Sequence, residues 1–134
     1  MKKICIIGLW HLGMVNAVGF AEKGFQVVGI ELDKNSLNKF KKGIPPLFEP
    51  NLEEKINQHI NQGNLTFTDD PSIIEKADYF IIAYDSPVNE KDEVDITPVV
   101  NAASLAAKFL NESTPIIITS QIPLGTSEVI EKSV

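Results

Sequence analysis

The sequence predicts an α/β protein: one open, parallel sheet with helices on both faces. Three observations predict it. Short, unbroken apolar runs such as Ile4-Cys5-Ile6-Ile7 and Tyr79 to Tyr84 suit strands buried on both faces, where a one-sided strand would alternate. Between such runs, apolar residues recur at helical spacing, as at Met14, Ala17, Val18 and Ala21. The first two runs are joined through a turn bracketed by Gly8 and Gly13. Strands that alternate with helices imply right-handed crossovers and a doubly wound, Rossmann-like sheet. The expected strand order is 3-2-1-4-5 in a single domain over residues 1–134.

Ile4 to Ile7 is the first strand, and the helix after Gly13 stops at Gly24, a C-cap. Phe25 to Leu32 is the second strand, with Glu31 at its end. Strand, glycine turn, helix, strand, acid is the order of the dinucleotide-binding βαβ unit. Gly8 permits the tight turn, and Gly13 lets the helix pack closely on the sheet. The helix start offers unpaired N–H groups and a positive dipole end, which suit a pyrophosphate. Glu31 comes 18 residues after Gly13, where an acid accepts bonds from a ribose diol. A 2′-phosphate would meet a like charge there, so NAD is favoured over NADP.

The G-x-G-x-x-G fingerprint reads Gly8-Leu9-Trp10-His11-Leu12-Gly13, with Trp10 in place of the middle glycine. Its side chain either crowds the phosphates or lies aside and leaves the backbone to do the same work. His11 either donates to a phosphate oxygen or faces solvent.

Lys34 to Lys42 is a short polar helix with Leu37 and Phe40 inward, ended by Gly43. Lys34, Lys39, Lys41 and Lys42 form a small basic cluster that reads as a wet helix face rather than a phosphate site. Ile44 to Pro50 holds three prolines, which forbid helix and sheet alike, so it is a stiff extended loop of the kind that shapes a site. Glu49 in that loop either approaches a cofactor or serves structure. Asn51 is the expected N-cap of a helix whose first turn carries Glu53 and Glu54 and whose inner face carries Leu52, Ile56 and Ile60. Gly63 stops it. His59, among Asn and Gln, is expected in solvent. Asn64 to Thr68 is the third strand, Asp70-Pro71 opens a brief helix, and Tyr79 to Tyr84 is the fourth strand. After a polar loop, Asp95 or Thr97 caps a helix with Pro98 in its first turn. Pro115 to Thr119 is the fifth strand, Ser120 to Thr126 a loop, and a last helix starts at Ser127.

The chain is long enough for one domain with a real core, at 134 residues with 43% hydrophobic and 22% charged content. A net charge of -6 argues against a broad nucleic-acid or anionic-membrane surface. No apolar run approaches the roughly 20 residues that span a bilayer, and the N-terminus lacks a signal-peptide layout. The single cysteine, Cys5, forms no internal disulfide and reads as a small buried hydrophobe, which points to a reducing cytoplasm. No His/Cys/Asp/Glu spacing resembles a metal site, the acidic run Glu90 to Asp95 lacks the ligand alternation and glycine of an EF-hand, and no nucleophile elbow is present.

Four stretches, spread over residues 1 to about 130, resemble one family. They are IIGLWHLGMVNAVGFAEKGFQVVGIELD, the loop KGIPPLFEPNLEE, Ser86-Pro87 with Asp95, and SQIPLGT. They match the glycine turn, the Gly-x-Pro-x-x-x-Glu-Pro-x-Leu segment, the Thr-Pro…Asp-Leu segment and the Ser-Thr-Val-Pro-x-Gly-Thr segment of the UDP-glucose/GDP-mannose dehydrogenases. The chain is similar to the N-terminal, NAD-binding domain of these enzymes, which oxidise a nucleotide-sugar alcohol to the uronic acid. The resemblance implies that Gly8, Leu9, Leu12 and Gly13 line the pyrophosphate turn, that Glu31 holds the adenosine ribose, and that Ser86, in place of the usual Thr, meets the cofactor. This chain departs from the family at Trp10 for Gly, His11 for Tyr, Ser36 for Lys and Gln121 for the Thr that contacts cofactor, all at the cofactor edge.

The family's nucleophilic Cys, with its Lys and Asp partners, belongs to a downstream region, so no catalytic residue is expected among these residues. The resemblance further implies that the chain is the N-terminal part of a longer dehydrogenase whose other region binds the nucleotide sugar and dimerises. Two other readings stay open: a module with a degenerate cofactor site that acts in binding or assembly, and the NAD domain of another β-hydroxyacid-type dehydrogenase.

Overall fold

A computed structural model of the protein describes residues 1–84 and 95–119. Five strands, β1 (Lys3–Ile7), β2 (Gln26–Ile30), β3 (Leu65–Thr68), β4 (Tyr79–Ile82) and β5 (Ile116–Ile118), form one sheet. All pairings are parallel, and the order is β3-β2-β1-β4-β5, as expected from the sequence. Four helices accompany it, α1 (His11–Glu22), α2 (Lys34–Lys41), α3 (Leu52–Gln62) and α4 (Thr97–Ala107), with a 3₁₀ helix at Pro71–Lys76.

The period-2 alternation of side chains divides the core between the two faces of the sheet. Ile4 and Ile6 of β1 join Met14, Ala17 and Ala21 of α1 and Leu52 and Ile56 of α3. Cys5 and Ile7 point the other way and join Phe80, Ile82, Ile74 and the α4 residues Val99, Ala103 and Ala106. This is why β1 and β4 read as unbroken apolar runs. Cys5 has no solvent exposure. Burial pushes its thiol up to about 11, against a smaller opposing pull from Lys3, so it packs and does not react.

Helix starts follow local chemistry. The Asp33 carboxylate accepts from the Ser36 N–H at 2.9 Å, and Asp70 accepts from Ser72 N–H at 3.0 Å. Of the two candidates before α4, Asp95 does the work, accepting from Thr97 N–H at 2.9 Å. These bonds hold all three carboxyls below their ordinary values.

Three expectations need correction. The second strand is shorter than Phe25 to Leu32: it ends at Ile30, and Leu32 stands 52% exposed beyond the sheet. Asn51 does occupy the N-cap position of α3, but its side chain makes no capping bond; its backbone is left-handed, with φ 68°. His59 is buried, not solvated. It lies seven residues beyond Leu52 and three beyond Ile56, on the α3 face that packs against α1, and helical geometry outranks the polarity of its neighbours in sequence. Its Nδ1 meets Asn64 Oδ1 at 3.3 Å, and Asn64 in turn donates to the carbonyl of Ala21. Its Nε2 has no hydrogen-bond partner, with the Glu22 carboxylate 4.0 Å away and itself bonded to Lys55.

The left-handed turn at Asn51 yields a prediction. A β-carbon costs about 1 kcal/mol in that conformation unless a short polar side chain offsets it. Asn51→Ala therefore loses about that much in urea denaturation, and Asn51→Gly does not.

Candidate functional site

The sheet order reverses between β1 and β4, and the crevice outside the carboxyl ends of such strands is where this architecture takes ligands. Two glycines build the edge. Gly8 leaves β1 with φ 94°, and a β-carbon on it would stand 2.4 Å from the backbone nitrogen of Tyr84. A β-carbon on Gly13 would stand 1.9 Å from the carbonyl oxygen of Gly8. Both obstacles are backbone, which cannot rotate aside. The glycines thus allow the first turn of α1 to press onto the end of β1 and the end of β1 onto the end of β4.

The helix so placed is suited to an anion. Its first bond runs from Met14 N–H to the Trp10 carbonyl at 3.2 Å, so the N–H groups before Met14 have no partner within the helix. Its first turn carries no acidic side chain to offset the positive dipole end. Trp10 stands just before the helix with φ −82°, outside the left-handed region, so the backbone needs no glycine there. The residue is 50% exposed.

Two clefts open at this edge. One, of about 400 Å³, is lined by Gly8, Leu9, Trp10, Glu31, Ser36, Phe40, Pro46 and Tyr84. The other, of about 370 Å³, lies against α4 and is lined by Ile7, Leu32, Tyr84, Asp95, Thr97, Pro98, Asn101, Ala102 and Leu105. Tyr84 lines both. Glu31 is held at the sheet edge by its own N–H, which donates to the Thr68 carbonyl at 2.9 Å. Partial burial raises its pKa, with a lesser push from Asp33 and opposing bonds from the N–H groups of Leu32 and Asp33. The same carboxylate adds to the burial that raises the Tyr84 phenol, which sets the two groups within electrostatic reach.

The structure therefore brings Gly8, Leu9, Trp10 and Glu31 to one cleft, with Gly13 beneath the turn. Leu12 is 40% exposed on α1, and His11 turns to the proline loop, where its Nε2 bonds the Glu49 carboxylate at 2.8 Å. Ser86 and Gln121 lie outside the described residues. Sequence reasoning missed Tyr84, Phe40 and Pro46 as walls of the cleft. Tyr84 carried a signal, a phenol at the end of an otherwise apolar run, and Pro46 lay in a loop already expected to shape a site; Phe40 had none, because its place depends on how α2 packs beside the turn. Among the described residues no group of three or more His, Cys, Asp or Glu is placed to hold a metal ion, and no helix is long and apolar enough to cross a membrane.

A parallel sheet in this order, with a glycine turn under a helix start and an acid at the end of β2, defines a dinucleotide-binding domain. The sequence profile of the UDP-glucose/GDP-mannose dehydrogenase family's NAD binding domain matches residues 2–134. The chain belongs to that family. It is 35% identical to the UDP-glucose 6-dehydrogenase TuaD of Bacillus subtilis, over 100% of this chain and 29% of that protein. It is 33% identical to a UDP-glucose 6-dehydrogenase of Rhizobium meliloti, over 97% of this chain and 30% of that protein. Among solved structures, a UDP-glucose dehydrogenase from Pyrobaculum islandicum superposes with a TM-score of 0.90 at 27% identity, over 99% of this chain and 32% of that one. The chain thus spans about three tenths of the length of the curated relatives it matches.

Proposed function

We propose that this domain binds NAD(H) and presents the nicotinamide for hydride transfer within a longer, cytoplasmic nucleotide-sugar dehydrogenase, which oxidises the sugar alcohol to the uronic acid and dimerises through a region outside this chain. The observation that carries the reading is the backbone-to-backbone packing of Gly13 on Gly8 and of Gly8 on Tyr84, in one cleft with Glu31. That packing leaves room for a pyrophosphate at the bare helix start and for a ribose diol at the carboxylate. Leu32, Tyr84 and Leu105 in the second cleft supply an apolar seat for the adenine. Ser86 and Gln121 are proposed to meet the cofactor from the loops after β4 and β5. The dinucleotide supplies the hydride acceptor. The residues here bind and orient it, and the covalent chemistry belongs to the remainder of the enzyme.

Trp10 is the only tryptophan of the chain and lines the first cleft, so it reports on occupancy. NADH is expected to quench its emission saturably, and NAD to restore it by competition. An unchanged signal from folded protein, repeated as a heat signal with Trp10→Gly and still silent, sinks the reading and favours a degenerate module. Binding recovered only in Trp10→Gly shows instead that the indole blocks a site otherwise intact.

A further inference from the structure

Glu49 lies 38 residues from His11 in sequence, yet the two side chains form a bond of 2.8 Å between Oε2 and Nε2. A carboxylate only accepts, so the proton of this bond sits on Nε2. The bond ties the far end of the proline loop to the first residue of α1. The loop is already fastened at both ends to α3: the Leu52 N–H donates to the Glu49 carbonyl at 3.0 Å, and Asn57 Nδ2 donates to the Gly43 carbonyl at 3.4 Å.

The backbone after Glu49 is bent sharply to reach this place. Asn51, two residues on, is the one non-glycine with a left-handed φ among the described residues. Such strain persists where the surroundings over-determine it, and it gathers at working sites. The held loop has a use, since its Pro46 lines the first cleft together with Trp10 and Phe40. The bond adds little to folding stability, because the His11 and Glu49 side chains are 45% and 44% exposed and water competes for both.

We propose that Glu49 is a positioning residue for the dinucleotide: through its bond to His11 it fixes the first turn of α1 and holds Pro46 in place as a wall of the cofactor cleft. The proposal rests on the NAD reading given above. Nothing in it asks Glu49 to touch the cofactor; it acts through the His11 ring and through its own loop.

The test is a double-mutant cycle in the protein at its full natural length, with NADH affinity read by calorimetry for wild type, Glu49→Ala, His11→Phe and the double variant. Each single change is expected to weaken NADH binding about threefold to tenfold, and the double variant no further than the weaker single one. His11→Tyr, whose phenol can donate to Glu49, is expected to bind within about twofold of wild type. Melting temperatures should stay within about 2 °C of one another, which separates positioning from a general loss of structure. Singles that bind like wild type, losses that multiply in the double variant, or a His11→Tyr protein as weak as His11→Phe each overturn the proposal. A wild type that fails to bind NADH overturns the reading beneath it; a wild type that binds while the variants are unaffected overturns this proposal alone.

Discussion

Gly13→Ala is expected to cost about 3 kcal/mol of folding stability and to remove measurable NADH binding. The added methyl would lie 1.9 Å from the carbonyl oxygen of Gly8, roughly half an ordinary non-bonded separation. Gly8 cannot retreat, because its own missing side chain already admits the backbone of Tyr84 and Ala83. The only relief is for α1 to lift from the sheet, and Met14, Ala17 and Ala21 leave the core with it. The N–H groups of the first turn then no longer stand over the end of β1. Gly19, in the same helix, has nothing within 4 Å of the corresponding position, so Gly19→Ala is the control. That change is expected to be neutral or stabilising by up to about 1 kcal/mol from helix propensity. Urea denaturation and NADH titration of the two variants make the comparison. A Gly13→Ala protein as stable as wild type would show that α1 has slack the packing denies.

Glu31→Gln is expected to move binding and stability in opposite directions. A charged acceptor lost from a ribose diol weakens NADH binding by about tenfold or more. The removed charge also relieves repulsion of a 2′-phosphate, so the preference for NADH over NADPH should narrow by about tenfold as well. For stability the sign follows from burial. Glu31 has a folded pKa raised chiefly by desolvation, so its neutral form is the one the folded state favours. The folded protein therefore binds more protons than the unfolded chain between the ordinary and the raised value, and stability falls as pH climbs through that window. At neutral pH the Glu31→Gln protein should melt above wild type, and the difference should close below about pH 4, where both proteins are uncharged at this position. A variant that loses NADH affinity without gaining melting temperature would place the ribose on Glu31 but deny the burial cost. One that keeps both its affinity and its preference for NADH would remove Glu31 from the site.

Much of the fold is legible because it rests on local rules. A parallel sheet covered on both faces needs apolar runs, and β1, β2 and β4 supply them at Ile4 to Ile7, Val27 to Ile30 and Phe80 to Ile82. Caps need short acids before helices, and Asp33, Asp70 and Asp95 stand there. Strand order followed from the alternation of strands and helices with right-handed crossovers. His59 and Asn51 were misjudged for the same reason in two forms. Polar neighbours in sequence say nothing of the face a helix buries, and a residue type that often caps by its side chain can serve equally by adopting a left-handed backbone.

The glycine turn and the acid after β2 were written in the chain itself, because Gly8, Gly13 and Glu31 owe their roles to backbone sterics and to spacing along one βαβ unit. Those residues determined the βαβ unit and the class of ligand it suits, while the family was legible only from the four stretches together, the proline loop and SQIPLGT among them. Tertiary structure alone decided the walls of the site. Tyr84 comes to both clefts because β4 pairs beside β1, and Pro46 and Glu49 reach the glycine turn and the start of α1 because a loop tied to α3 folds back across them. Contacts between residues 38 and more apart depend on where whole elements pack, and no local pattern encodes that.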